Sequence, residues 1–204
     1  MRKPKLRELA EAVRAVVRGP FTYPFPAEPS PAPPAYRGKG KFDEKECIGC
    51  GACAEICPAG AITVTNRPQM HPPTRTIVRR DDRCIFCGQC QALCTTGKGI
   101  TCTTEYDLAT FDRGTCAVSI QKELALCDKC GEPLTTRDHL RWLARQLGTK
   151  RYANPTLILI AERDLGLVGE ESGRPPDVPT GRSDVMRVLC HECRREVLLR
   201  EIWG

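Results

Sequence analysis

Two runs of cysteine decide what this chain can become. Cys47, Cys50, Cys53 and Cys57 form the first, and Cys84, Cys87, Cys90 and Cys94 form the second. Both follow the spacing C-x2-C-x2-C-x3-C, and both carry a glycine directly after the second cysteine, Gly51 and Gly88. Three thiolates spaced this closely wrap three corners of an iron–sulfur cube, while the fourth, one step further on, points away and reaches a second cube. On that pattern Cys47, Cys50, Cys53 and Cys94 are the expected ligands of one [4Fe–4S] cluster, and Cys84, Cys87, Cys90 and Cys57 those of the other. Ligand sharing of this kind holds two cofactors close together, as an electron relay requires.

Other uses of cysteine fit poorly. A disulfide framework suits a small secreted protein, but Met1–Arg18 is too charged for the apolar stretch of a signal peptide. Zinc takes four ligands in a tetrahedron and has no use for two copies of such a run. The 14 cysteines fit a reducing cytoplasm, where they can serve as thiolate ligands. Aromatic residues make up only 5% of the chain, and the stretch bearing the two runs is poor in large apolar side chains. A small domain of that composition cannot bury enough surface for a conventional core. Metal–thiolate bonds must then contribute folding free energy, and the metal-free form is expected to be poorly folded.

The formal charge of +6 admits nucleic acid, an anionic membrane or an acidic protein as partner. The basic residues are spread along the chain rather than gathered into a patch, so no nucleic-acid partner is expected. The longest apolar run, Leu157–Ala161, is too short to span a bilayer, so any membrane association is expected to be peripheral or through partners. No Gly-rich phosphate loop, nucleophile elbow or Ser/His/Asp arrangement stands out. The chain therefore reads as a non-catalytic electron-transfer subunit with no substrate site of its own.

Residues 1–19 read as an amphipathic helix, with Leu6, Leu9, Ala10, Val13, Val16 and Val17 at helical spacing and Gly19 and Pro20 as the stop. Its apolar face is expected to dock on a partner subunit or a membrane surface. Residues 20–42 are Pro-rich with Phe21, Tyr23 and Phe25 alternating, the composition of an extended strap. Residues 43–112 contain an internal repeat in which Ile48 matches Ile85, Ile56 matches Leu93 and Ile62 matches Ile100. Each copy is expected to run as loop, short helix after the third cysteine, then strand, with a further strand at Arg75–Arg80 between the copies. Ile48, Ile56, Ile62, Ile85, Phe86, Leu93 and Ile100 are the expected shields against water. Cys102, in the place of Val64, and Cys116 are expected to be small hydrophobes rather than ligands.

Residues 113–204 form a C-terminal extension with a third metal candidate, Cys127, Cys130, Cys190 and Cys193. Two CxxC pairs can furnish a tetrahedral four-thiolate site, here expected to hold a structural Zn2+, with a single iron as the alternative. The 59 residues between Cys130 and Cys190 exceed the usual interval of about 15–20. Within them a helix is expected from Thr136 or Asp138 to Leu147, a strand at Thr156–Ala161 and a loop over Gly169–Arg182. Chelation is expected to unfold this extension and leave the clusters intact. His191 is expected to be solvated rather than a ligand. The expected fold class is thus α+β: a two-cluster ferredoxin-like core, an N-terminal amphipathic helix and a C-terminal zinc-bearing extension.

The double cysteine run, the segment Thr104–Ala109 with Glu105 and Tyr106, and the approach over Pro24–Gly38 resemble the two-cluster subunit of complex I-related enzymes. That family includes a subunit of respiratory complex I and its counterpart in membrane-bound [NiFe] hydrogenases. The extension with its two CxxC pairs resembles the formate hydrogenlyase-type branch. The resemblance implies a peripheral subunit on the cytoplasmic side of the membrane. It implies [NiFe] hydrogenase small and large subunits and membrane-arm subunits as partners, with another iron–sulfur subunit as electron donor. A complex I-type NADH or ferredoxin:quinone oxidoreductase subunit and a free ferredoxin carrier are the alternatives. The chain departs from the family where Thr95, Thr96 and Gly97 follow Cys94 in place of proline, and where Lys98 and Gly99 lengthen the next turn. Both departures are expected to act on the cluster of the second run.

Overall fold

A computed structural model describes residues 5–169 and 181–203. The chain divides into two units, Met1–Tyr36 and Arg37–Gly204. In the first, α1 spans Leu6–Arg18 and buries none of its residues. The Glu8 carboxylate accepts from the Lys5 backbone N–H at 3.1 Å, which satisfies one free amide of the first turn. Gly19 ends the helix with φ 76°, and the Pro-rich segment after it runs through turns, with the Tyr23 hydroxyl donating to the Pro29 carbonyl at 2.9 Å. No described helix is long and apolar enough to cross a membrane.

The second unit mixes strand and helix, as expected. Its elements up to the second cysteine run are β1 (Gly40–Phe42), α2 (Ala52–Glu55), β2 (Ile62–Arg67), β3 (Thr74–Arg80) and α3 (Gln89–Ala92). β4 (Ile100–Cys102), β5 (Ala117–Leu126), β6 (Pro133–Thr136), α4 (Arg137–Leu147), α5 (Pro155–Asp164) and α6 (His191–Trp203) follow. β1 and β4 pair antiparallel, and a second sheet has the order β2-β3-β5-β6. The short helices contain the third cysteine of each run, Cys53 and Cys90, rather than following it. Phe42, Ile62, Ile77, Ile100 and Ile120 bury against Cys53 to make a small core between the two sheets. The approach and the Glu105 segment, apart in sequence, are joined by Gly38 N–H to the Thr103 carbonyl and Lys39 N–H to the Glu105 carbonyl, both 2.8 Å.

The sheet ignores the boundary expected at residue 113. β5 pairs with β3 from Thr74 opposite Glu123 to Arg80 opposite Ala117, so the extension adds strands to the cluster-bearing sheet. Beyond it, α4 starts where the Thr136 hydroxyl accepts from the His139 N–H at 3.2 Å and stops at Gly148. The strand expected at Thr156–Ala161 is instead part of α5. Asn154 caps that helix by accepting from the Thr156 and Leu157 amides at 3.0 and 3.3 Å, and Pro155 supplies a preset first-turn φ. Leu157 and Ile160, three residues apart, turn one helical face onto Ala125, Leu140 and Val188. Each such buried side chain contributes about 2 kcal/mol. The Arg141 guanidinium grips Asp164 with two bonds of 2.7 and 2.6 Å and ties α4 to α5. The expected loop over 169–182 lies mostly outside the described residues.

Candidate metal centres

Strand pairing explains how the two cysteine runs exchange a member. β1 leads into the first run and β4 leaves the second, and the two strands pair with Phe42 opposite Ile100. The end of the second run therefore meets the start of the first. Gly99 stands at the junction, where an added Cβ would lie 3.0 Å from the Cys47 Cα and 3.3 Å from the Cys94 sulfur. In the same way β2 leaves the first run, β3 leads into the second, and Ile62 pairs with Arg79.

Cys47, Cys50, Cys53 and Cys94 consequently line one cavity, walled by Phe42, Ile48, Ile77 and Ile100. Cys57, Cys84, Cys87 and Cys90 line another, with Ile62, Arg79, Phe86 and Cys102. In the first cavity burial pushes the Cys53 thiol up to about 12, and its sulfur neighbours add to the effect. Burial likewise raises Cys47. Cys94 moves the other way: burial opposes ionisation, but the Thr96 hydroxyl and amide and the Gly99 and Ile100 amides outweigh it. In the second cavity burial raises Cys90 and Cys102. The buried thiols of Cys47, Cys53 and Cys90 hold their protons unless a thiophilic cation takes their place. Iron, bound through soft thiolates, fits this donor set.

The surroundings of the two runs differ. Three side chains of the four-stranded sheet hold the loop of the first. Lys122 Nζ donates to the Glu44 carbonyl at 2.5 Å, Arg75 Nη1 to the Gly49 carbonyl at 3.0 Å, and the Thr136 hydroxyl to the Ile48 carbonyl. Gly49, with φ 65°, has no room for a side chain, since a Cβ would lie 2.8 Å from Thr136 Cγ2. Its repeat partner Phe86 takes the same left-handed backbone, φ 52°, and keeps its ring. In the second run Arg37 Nη1 donates to the Cys87 carbonyl at 2.7 Å. Of the expected water shields, Ile48, Ile62 and Ile100 are buried, whereas Ile85 and Leu93 are 63% and 57% exposed.

Hydrogen bonds to sulfur also divide between the cavities. Thr95 Oγ1 lies 3.3 Å from Cys50 Sγ, and Thr96 Oγ1 lies 3.5 Å from Cys94 Sγ. The Gly99 amide donates to Thr96 Oγ1 at 3.1 Å, which leaves that hydroxyl proton free to point at sulfur. The threonines that replace proline therefore serve the cavity of Cys47, Cys50 and Cys53, not the second run in which they stand. Around the second cavity, Ala61 N–H donates to Cys57 Sγ and Phe86 N–H to Cys84 Sγ, both at 3.3 Å, and Arg79 Nη2 donates to Cys84 Sγ at 3.2 Å. Sequence reading missed Arg79. The available signal was its alternation with Ile77 on one face of β3. Cys102 is half-buried at the edge of the second cavity rather than in a core, and its amide donates to Gln91 Oε1 at 2.7 Å. Cys116 is half-buried, and its carbonyl accepts from the Asp81 amide at 2.8 Å.

The two CxxC pairs also come together, with the ligand atoms of Cys127, Cys130, Cys190 and Cys193 all within 4.8 Å of one another. Cys130 and Cys190 sulfurs are 3.7 Å apart. Zn–S bonds of about 2.3 Å in a tetrahedron give edges of ~3.8 Å, so the spacing fits an ion of that size. Asp128, between the first two cysteines, joins the pairs. Its amide donates to the Val188 carbonyl at 2.8 Å, while its carboxylate accepts from the Val188 amide and from Arg163, each at 2.9 Å. Arg194 on α6 donates to Thr156 Oγ1 at 2.9 Å and to the Arg187 carbonyl at 2.8 Å, which fixes α6 against α5. His191 is 92% exposed and stands outside the four.

Residues 46–98 match the family model of the 4Fe-4S dicluster domain. That segment is an iron–sulfur domain of the two-cluster type. Among solved structures, the chain is similar to one from the membrane-bound sulfane sulfur reductase, an archaeal respiratory membrane complex. The two are 31% identical over 57% of this chain and 61% of that one, with a TM-score of 0.39. The chain thus spans less than two thirds of the length of that relative.

Proposed function

We propose that this chain passes single electrons through two [4Fe–4S] clusters, as a relay subunit of a membrane-bound complex. One set of ligands is Cys47, Cys50, Cys53 and Cys94, and the other is Cys57, Cys84, Cys87 and Cys90. The observation that carries the reading is the exchange of the fourth cysteine: each cavity draws three sulfurs from one run and one from the other. The clusters supply the capacity to take up and release one electron at a time. The chain's own residues do the rest. Phe42, Ile77 and Ile100 keep water from the first set, and the Thr95 and Thr96 hydroxyls and the Ala61 and Phe86 amides direct protons at ligand sulfurs.

The parent complex in this reading is a [NiFe] hydrogenase of the formate hydrogenlyase type, with the chain peripheral on the cytoplasmic face. The sequence resemblance at Thr104–Ala109 and in the C-terminal extension supports it. Cys127, Cys130, Cys190 and Cys193 hold one structural Zn2+ that fastens the extension. Anaerobic affinity purification from native membranes tests the assembly. Recovery with hydrogenase large and small subunits is expected. Recovery with a quinone- or sulfur-reducing module reassigns the parent complex, and recovery of the chain alone in the soluble fraction leaves a free carrier. Metal analysis of the purified chain is expected to return eight iron atoms, as two [4Fe–4S] clusters require, plus one zinc.

A further inference from the structure

We infer that Arg79 raises the reduction potential of the cluster held by Cys57, Cys84, Cys87 and Cys90, through a buried charged hydrogen bond to Cys84. The inference rests on the two-cluster reading above and concerns what distinguishes one site from the other.

Arg79 lies on β3 and is 1% exposed, the largest fully buried side chain among the described residues. Its Nη2 donates to the Cys84 sulfur at 3.2 Å, and its Nε faces Asp81 Oδ1 at 3.3 Å, with Asp81 equally buried. Arg–carboxylate pairs are frequently held by two parallel bonds across the planar fork of the guanidinium. Here the Asp81 carboxylate approaches Nε without forming a hydrogen bond, and Nη2, at the outer end of the fork, reaches into the sulfur cavity that Arg79 helps to line. The fold keeps space for it. At Gly40 on the paired β1–β4 sheet, an added Cβ would lie 0.9 Å from Arg79 Nη1 and 2.1 Å from its Cζ. No side chain at that position could coexist with the guanidinium as it stands.

The electrostatic consequence has a definite sign. An electron entering the cluster adds one negative charge, shared with the ligand sulfurs, and no bond forms and no proton moves. A cation held against one of those sulfurs, in surroundings that screen poorly, stabilises the reduced form over the oxidised one and so raises the potential. Among the described residues, the side-chain donors to sulfur in the first set are the hydroxyls of Thr95 and Thr96. Lys122 and Arg75 act on Cys47 and Cys50 through space, while their hydrogen bonds go to the Glu44 carbonyl and Asp138 and to the Gly49 carbonyl and Asn66. Charge-assisted bonds are roughly twice as strong as neutral ones.

The test is a mediated redox titration of the full chain with both clusters assembled, followed by electron paramagnetic resonance. Cys57→Ser and Cys94→Ser assign each signal to its set. Arg79→Gln is expected to lower the midpoint of the second cluster by tenfold or more in electron affinity, about 59 mV for one electron, and to leave the first nearly unmoved. Arg79→Lys keeps the charge and the ion pair to Asp81 but loses the fork, and a several-fold drop confined to the same cluster is expected. Equal shifts in both clusters, or no shift in either variant, would overturn the inference. So would loss of the second cluster in Arg79→Gln with a wild-type midpoint in Arg79→Lys, which would make Arg79 an ion-pair anchor only. Absence of two cluster signals in the wild-type chain would instead sink the relay reading itself.

Discussion

Ile48 and Ile85 hold the same place in the two cysteine runs, yet one is 8% exposed and the other 63%. The runs share their spacing, their glycine after the second cysteine and their short helix. Their difference comes from what lies over them. β5 and β6 send Lys122 and Thr136 onto the backbone of the first run. The second run has its loop open at Ile85. Local sequence shapes a ligand loop, and distant sequence decides how dry it is. A cluster's potential depends on both, since solvent access and hydrogen bonds to sulfur tune it.

Ligand loss is the strongest way to break this comparison. Cys94→Ser is expected to abolish the cluster of the first run, whose cavity it completes, and to spare the cluster of its own run. Iron content and ligand-resolved spectroscopy check this, and loss of the other cluster would end the exchanged-ligand assignment. Removal of the four-thiolate ion comes next. Because β5 pairs along the whole of β3, chelation is expected to unsettle more than the extension. Air bleaching of the first cluster should then accelerate several-fold over that of the second. Equal rates would restore an independent extension.

Packing variants sharpen the contrast further. Ile48→Ala should cost about 2–5 kcal/mol in anaerobic thermal unfolding, the usual range for a buried isoleucine. Ile85→Ala, on the open loop, should stay within about 0.5 kcal/mol of wild type. Gly49→Ala combines a positive φ with a Cβ 2.8 Å from Thr136, and should cost about 1–3 kcal/mol. Phe86→Gly relieves the same left-handed strain but gives the unfolded chain more freedom, so a change under about 1 kcal/mol is expected. If the Gly49 and Phe86 variants behaved alike, the covering sheet would not be what separates the runs.

Much of this was legible before any coordinates. Cysteine spacing carries ligand chemistry directly, because three sulfurs separated by two residues each have little choice of partner. The start of α4 was readable as Thr136 or Asp138, of which the fold uses Thr136, and the stops at Gly148 and at Gly19 of α1 were readable too, because a cap acts through neighbours in the chain. α5 was misread as a strand. Its run of Leu157, Ile158, Leu159 and Ile160 suits either element by composition, and the Asn154–Pro155 start, which decides for helix, was overlooked.

The rest required the fold. Nothing near Thr95 or Thr96 says that their hydroxyls serve the sulfurs of the other set, since that follows from β1 pairing with β4. Nothing near residue 113 says that the extension continues the cluster-bearing sheet, since that follows from β5 pairing with β3. Arg79 looks like one basic residue among several until Gly40 is seen to leave room for it and Cys84 to receive it. The sequence by itself determined the donor atoms and their local order, because covalent spacing limits where neighbouring sulfurs can go. Tertiary structure alone decided which sulfurs share a cavity, which are dry and which face a cation. Those properties depend on distances between residues far apart in the chain, and burial and charge act through space.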